Sequence, residues 1–220
     1  MAPHHIATML RQTANSAAAR IGAPGMLAGA ALGLALLLAG GAKATTQGDA
    51  EATVIAFRDG LAGIAQRSLP LPQRAQALSG VLAATVDLDR IATVAVGSSR
   101  LASWSGDDRA EVLRAFRDYM AAVVAERLET IAFAGLAVTG TRQGPSGSMI
   151  VDASIAGEPP ISFLLHRDER GWRILDVLRG GISELALRRS EFAAAADRGA
   201  DVLAQRLEAR TATLLDGVEP

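Results

Sequence analysis

The sequence predicts an α+β domain in which an antiparallel sheet of about four strands is wrapped by N- and C-terminal helices. Three observations carry this prediction. Apolar residues recur with helical spacing up to about residue 128, the spacing changes to alternation from Thr130, and helical spacing returns at Ser183. The gaps between the alternating segments are short, which implies antiparallel pairing and a meander.

Residues 1–44 precede this domain and contain Arg11, Arg20 and Lys43 but no acidic residue. An uncharged apolar run, Met26 to Ala39, leads into Gly40-Gly41-Ala42-Lys43-Ala44, whose small residues have the Ala-x-Ala shape of a signal-peptidase site. A positive start, a short apolar stretch and small residues at the cut are the parts of a secretory signal. The alternative is an uncleaved anchor, but a spanning helix needs about 20 apolar residues. The run is shorter and Pro24-Gly25 interrupts its start. The expectation is a signal peptide over 1–44, cleavage after Ala44, and a periplasmic domain over 45–220.

In that domain Val54, Phe57, Leu61 and Ile64 form one helical stripe. Pro70 and Pro72 break the chain, with Pro72 placed for the first turn of the next helix. Leu78, Val81, Leu82 and Val86 form that helix's buried face. A short helix from about Asp87 buries Leu88, Ile91 and Val94 and ends at Gly97. The clearest helix runs from Asp107 to about Leu128, with Ser105 and Asp108 as its capping pair. Its apolar face is Val112, Leu113, Phe116, Tyr119, Met120, Val123, Val124 and Leu128, and Arg114 and Asp118 pair weakly outside.

Ile131 and Phe133 are expected to begin the first strand, and Gly140–Gly147, with Pro145, to form a turn. Met149, Val151, Ala153 and Ile155 then alternate with polar or outer positions. After a turn at Gly157–Pro160, Ile161, Phe163 and Leu165 do the same. Asp168–Gly171 turns the chain into Trp172–Arg179. Ser183 caps a helix from which Leu185 and Phe192 face inward. Gly199 separates it from another carrying Val202, Leu203 and Leu207.

Composition excludes several chemistries. There are 22 Lys+Arg against 23 Asp+Glu, so no basic excess points to nucleic acid. No cysteine is present, which removes disulfides, thiolate metal sites and a cysteine nucleophile. No glycine-rich loop runs into Lys-Ser/Thr, so no phosphate cradle for a nucleotide is encoded. The acidic pairs Asp107-Asp108 and Asp87-x-Asp89 read as helix starts, and neither metal nor cofactor is expected.

His166 is the only histidine of the 45–220 domain; it alternates with Phe163 and Leu165 and is expected on the solvent face. Asp176 shares an apolar strand with Trp172, Ile174 and Leu178. A buried carboxylate there reads either as a structural acceptor of backbone hydrogen bonds or as an acid–base group.

The segment Trp172-Arg-Ile-Leu-Asp-Val-Leu-Arg-Gly-Gly-Ile-Ser183, then Arg189-Ser-Glu-Phe192 and Gly199 before Val202-Leu203 and Leu207, resembles the carboxy-terminal signature of the MlaC family. Ser105-Gly-Asp-Asp-Arg109 leading into Ala115-Phe-Arg-Asp-Tyr-Met120 resembles that family's central helix. Leu187-Arg188 stands where the family often has Asn-Tyr, and Ala193–Ala196 is unusually small.

The resemblance implies a periplasmic phospholipid carrier, the toluene-tolerance auxiliary component of an ABC transporter, on an NTF2-like twisted sheet enclosing an apolar cavity. Its implied partners are an inner-membrane ABC complex with an MCE-type subunit and an outer-membrane lipoprotein–porin complex. A hopanoid-associated branch, with hopanoid or another apolar lipid as cargo, is the nearest alternative. A periplasmic NTF2-like enzyme using Asp176, or an adaptor that binds only protein, is the alternative of another class.

A cavity for acyl chains draws its lining from two surfaces. The long helix offers Phe116, Tyr119, Met120, Val123 and Val124. The sheet and its approach offer Phe133, Met149, Val151, Ile155, Ile161, Phe163, Leu165, Ile174 and Leu178. The same stripes would serve equally well as a solid core.

Overall fold

The structure is a computed structural model that describes residues 32–128 and 130–216, with side-chain surroundings from Thr46 onward. The chain divides into two compact units, residues 1–39 and 40–220. Of the first, residues 32–39 are described and are helical. The expected charged start of the signal segment lies outside the described residues. Among the described residues no helix is long and apolar enough to cross a membrane.

Helix α1 (Leu32–Ala65) buries the Val54, Phe57, Leu61, Ile64 stripe. Pro72 lies in the first turn of α2 (Leu71–Thr85), where a missing N–H costs nothing. The two helices approach at Gly60, where a Cβ would lie 2.6 Å from a Val81 methyl.

At Val86 the chain turns extended and bridges β4 (Gly171–Arg179) at Ile174, with Asp87 N–H donating to Ile174 C=O at 3.0 Å. Buried Arg173 donates to the carbonyls of Ala83 and Val86 at the end of α2. Burial pushes its guanidinium below the usual arginine range.

Asp87 caps α3 (Leu88–Val96), accepting from Arg90 N–H at 3.1 Å, and Gly97 ends it at φ +97°. Leu88, Ile91, Ala92 and Ala95 form the buried stripe of α3. Val94, expected inside, is 38% exposed because it falls between the rows that face the core. A further short helix, α4 (Ser98–Ser103), is too brief to show a period. Ser105 caps α5 (Gly106–Arg127) by accepting from Asp108 N–H at 3.1 Å. Helix α5 packs against α2 on one side and, on the other, against α7 (Ala200–Leu215).

The sheet is a five-stranded meander in chain order: β1 (Ala137–Gln143), β2 (Met149–Ser154), β3 (Ile161–Asp168), β4 and β5 (Ile182–Ser183). Two expectations at its entry are corrected. Ile131 and Phe133 lie before β1, Phe133 in a 3-10 turn, because Gly135 N–H and Leu136 N–H close back on Ala132 and Phe133 carbonyls. Gly140 lies inside β1, and the turn is confined to Gly144–Ser148, where Gly144 N–H reaches Ser148 C=O at 2.9 Å.

Along β2 and β3, Met149, Val151, Ala153, Ile161, Phe163 and Leu165 share the buried face, and Phe57 meets Phe163 edge-on with ring centroids 6.1 Å apart. The fifth strand is only two residues long, beneath the reach of an alternation pattern. Gly180 and Gly181, at φ +56° and +82°, form the two-residue hairpin turn that joins it to β4. Helix α6 (Glu184–Ala196) follows, capped by Ser183, and packs on α3 and β4.

Candidate binding site: an apolar cavity with an arginine rim

Between the helices and the buried face of the sheet lies a half-open cavity of about 150 Å³. Its helical walls are Met120, Val123 and Val124 of α5, Leu88 and Ile91 of α3, and Leu82 of α2. Phe57 and Phe163 join the wall as an edge-to-face pair. The connection from α5 to β1 adds Ile131, Phe133 and Leu136, and α6 adds Leu185.

A bulge shapes the strand side. Leu164 pairs with Asp176 and Leu165 with Ile174, so Leu175 is an extra residue on β4. Beyond it the alternation is shifted by one. Val177 now pairs with Phe163 on the inner face, while Asp176 and Leu178 pair with Leu164 and Ser162 on the other. Asp176 therefore does not share the face of Trp172 and Ile174, as strict alternation required. Ile174, Leu175, Asp176 and Val177 touch the cavity in succession, which an unbroken strand cannot arrange.

The expected lining splits into two groups. Met120, Val123, Val124, Phe133, Ile161, Phe163 and Ile174 stand in the cavity wall. Phe116 and Tyr119 instead stack edge-on against Phe192, at 6.0 and 5.6 Å. Met149, Val151, Ile155 and Leu165 are buried in the core away from the cavity wall, and Leu178 is turned out by the bulge. Phe57, Leu82, Leu88 and Ile91 were legible as helix stripes, but nothing in their spacing marks them as wall rather than core. Leu175 and Val177 carry no signal, since the bulge that brings them in is tertiary.

The charged residues at the cavity are Arg127, Arg179, Arg188, Glu184 and Asp176. Glu184 stands between two guanidiniums at long range: 3.5 Å from Arg127 Nη1 and 3.4 Å from Arg188 Nη2. Arg188 is anchored by Glu191 at 2.5 Å and by the Tyr119 hydroxyl at 2.9 Å, with its guanidinium 5.7 Å from that ring's centroid. Arg179 pairs with Glu158 at 2.8 Å.

Asp176 stands as a structural acceptor of hydrogen bonds. Its Oδ1 accepts from Val177 N–H at 2.8 Å and Leu185 N–H at 3.0 Å, and its Oδ2 from Ser183 Oγ at 2.6 Å. His166 is not on an open solvent face. Its Nε2 lies 2.7 Å from Asp87 Oδ2, with the two side chains 11% and 12% exposed, because the α2–α3 junction folds over this part of the sheet.

A meandering sheet covered by helices, with a mostly apolar cavity between them, defines an α+β domain with an internal apolar pocket. The chain belongs to the MlaC family, whose model, described as "MlaC protein", matches residues 61–209. The solved structure of a phospholipid-binding protein from Ralstonia solanacearum, in complex with a phospholipid, shares the fold at a TM-score of 0.61 and 16% identity. That match covers 77% of this chain and 98% of the other. No curated protein matches the chain.

Proposed function

We propose that this chain is a lipid carrier that shelters the acyl part of a phospholipid between sheet and helices. The observation that supports it is the half-open apolar cavity in a chain of the MlaC family. Moving a diacyl lipid through water exposes about thirty methylenes, which at about 0.8 kcal/mol each is about 24 kcal/mol. A carrier removes that barrier by replacing the bilayer with an apolar lining. At about 150 Å³ the cavity has the size of an engineered one that admits benzene, so two acyl chains enter only as its walls part. Met120 and Val124 of α5 are among the wall residues that are only half-buried, and the unbranched Met120 side chain adapts its shape most readily.

Export by the 1–44 segment, with cleavage after Ala44, completes this reading. In the periplasm the carrier hands lipid between an outer-membrane lipoprotein–porin complex and an inner-membrane ABC complex with its MCE-type subunit. The chain contains no nucleotide cradle, so the energy for extraction comes from that complex.

The test is solvent extraction of the purified protein followed by mass spectrometry, together with uptake from donor vesicles. One diacyl phospholipid per protein is the expected result. A hopanoid in its place would change the cargo, and a protein that takes up no lipid would overturn the carrier reading.

A further inference from the structure

We infer that Arg127 and Arg188 form a phosphate site at the cavity rim that recognises the phosphodiester of the cargo; the inference rests on the carrier reading and specifies its ligand class. Arg127 follows Val123 and Val124 by one helical turn on α5, and Arg188 follows Glu184 and Leu185 by one turn on α6. The two faces that present apolar wall therefore present a guanidinium one step further along. This is the position a lipid phosphate takes when its chains occupy the wall.

The donors at this point are under-used. Among the described residues Arg127 makes one side-chain hydrogen bond, to Glu184 at 3.5 Å, and Arg188 Nη2 reaches the same carboxylate at 3.4 Å. Charge-assisted pairs normally close to about 2.7–2.9 Å. The Nε–H of Arg188 is buried and has no acceptor among the described residues, although its neighbour Nη1 is fully engaged by Glu191 and Tyr119. A buried N–H without an acceptor is rare and unfavourable. The remaining rim anion, Asp176, already accepts three hydrogen bonds from within the fold. Two guanidiniums loosely sharing one carboxylate, with a further donor unmet, suit an anion with several oxygens, which a phosphodiester supplies and a neutral apolar lipid does not.

The experiment offers the purified protein vesicles that contain phosphatidylglycerol and diacylglycerol of identical acyl chains in equal amounts. Bound lipid is then counted by mass spectrometry. The expected result is a preference of about tenfold or more for the phospholipid, unchanged by millimolar inorganic phosphate, falling to near parity in the Arg127→Gln/Arg188→Gln variant while diacylglycerol uptake persists. Arg127→Gln alone, at a half-exposed side chain whose loss leaves the core untouched, is expected to give an intermediate preference even if the double variant folds poorly. Equal uptake by the unmodified protein, or a preference that survives in Arg127→Gln and the double variant alike, would overturn the phosphate site and leave the carrier reading standing. Loss of the preference in inorganic phosphate would also overturn it, by assigning the rim to the free ion. Uptake of neither lipid would overturn both readings.

Discussion

Ser183 donates its hydroxyl hydrogen to Asp176 Oδ2 at 2.6 Å while its oxygen accepts from Ala186 N–H at 3.0 Å. One serine thus caps α6 and ties that cap to β4 across the Gly180-Gly181 turn. Asp176 completes the join by accepting from Leu185 N–H, placing a carboxylate at the positive end of the helix. Helix α6 is held in this way where Leu185 and Arg188 meet the cavity.

Replacing Asp176 by Ala strands the Leu185 amide and the Ser183 hydroxyl, and is expected to cost about 2–3 kcal/mol. Urea denaturation measures it. Asp176→Asn keeps one acceptor and is expected to cost less, with lipid uptake retained. Loss of function in Asp176→Asn at unchanged stability and lipid loading would restore an acid–base role.

Gly60 and Gly63 lie three residues apart on α1, yet only Gly60 has a close neighbour across the helix pair. Alanine at either site gains about 1 kcal/mol of helix propensity. Gly63→Ala is expected to raise thermal stability. Gly60→Ala is expected to lower it by about 1–2 kcal/mol, because α1 must move away from Val81. Thermal melts of the pair, read side by side, check the sign of each.

Val124 faces the cavity from α5 and is half-buried. Val124→Phe adds bulk where there is space, so the melting temperature is expected to hold or rise. Lipid uptake from vesicles is expected to fall about tenfold, equivalent to about 1.4 kcal/mol. A variant that loads lipid normally would show that the acyl chains lie elsewhere.

Asp87 serves two neighbours at once, capping α3 through Oδ1 and meeting His166 through Oδ2. Asp87→Ala removes both and is expected to cost about 1–2 kcal/mol, the range for a lost helix cap. Hydrogen exchange is expected to quicken first in α3, whose Leu88 and Ile91 line the cavity.

Asp168, at the β3–β4 turn, is pushed upward by desolvation, but hydrogen bonds from the Arg170 side chain and backbone outweigh that and bring its carboxyl below the ordinary range. A carboxyl lowered in the folded state adds stability above its unfolded value of about 3.9 and loses it as pH falls through the lower folded value. The stability difference between the unmodified protein and Arg170→Ala is therefore expected to be constant near neutrality and to shrink in acid. Denaturation midpoints across a pH series test this.

Most of the fold was legible because it rests on local periodicities. A helical residue three or four places from another shares its face whatever the surroundings, so Val54, Phe57, Leu61 and Ile64 could be read as one stripe. Alternation exposed the inner faces of β2 and β3 in the same way. The caps at Asp87, Ser105 and Ser183 depend on one side chain and the amide three residues on, again within the reach of sequence. The signature around Trp172–Ser183 carried the family.

The cavity was legible only as a set of apolar faces. Phe116 and Met120 lie on one helical face, yet Phe116 stacks on Phe192 while Met120 borders open space. Whether an apolar side chain meets another or a gap is decided by how several elements distant in sequence fit together, and no spacing within one element encodes it. The bulge at Leu175 likewise arises from pairing between strands, and it exchanged Leu178 for Val177 at the wall. The arginine rim appears only when the end of α5 is brought beside α6. Sequence alone determined which faces turn inward, since burial follows local periodicity; the tertiary structure decided where those faces fail to close on one another, since a cavity belongs to the space between elements.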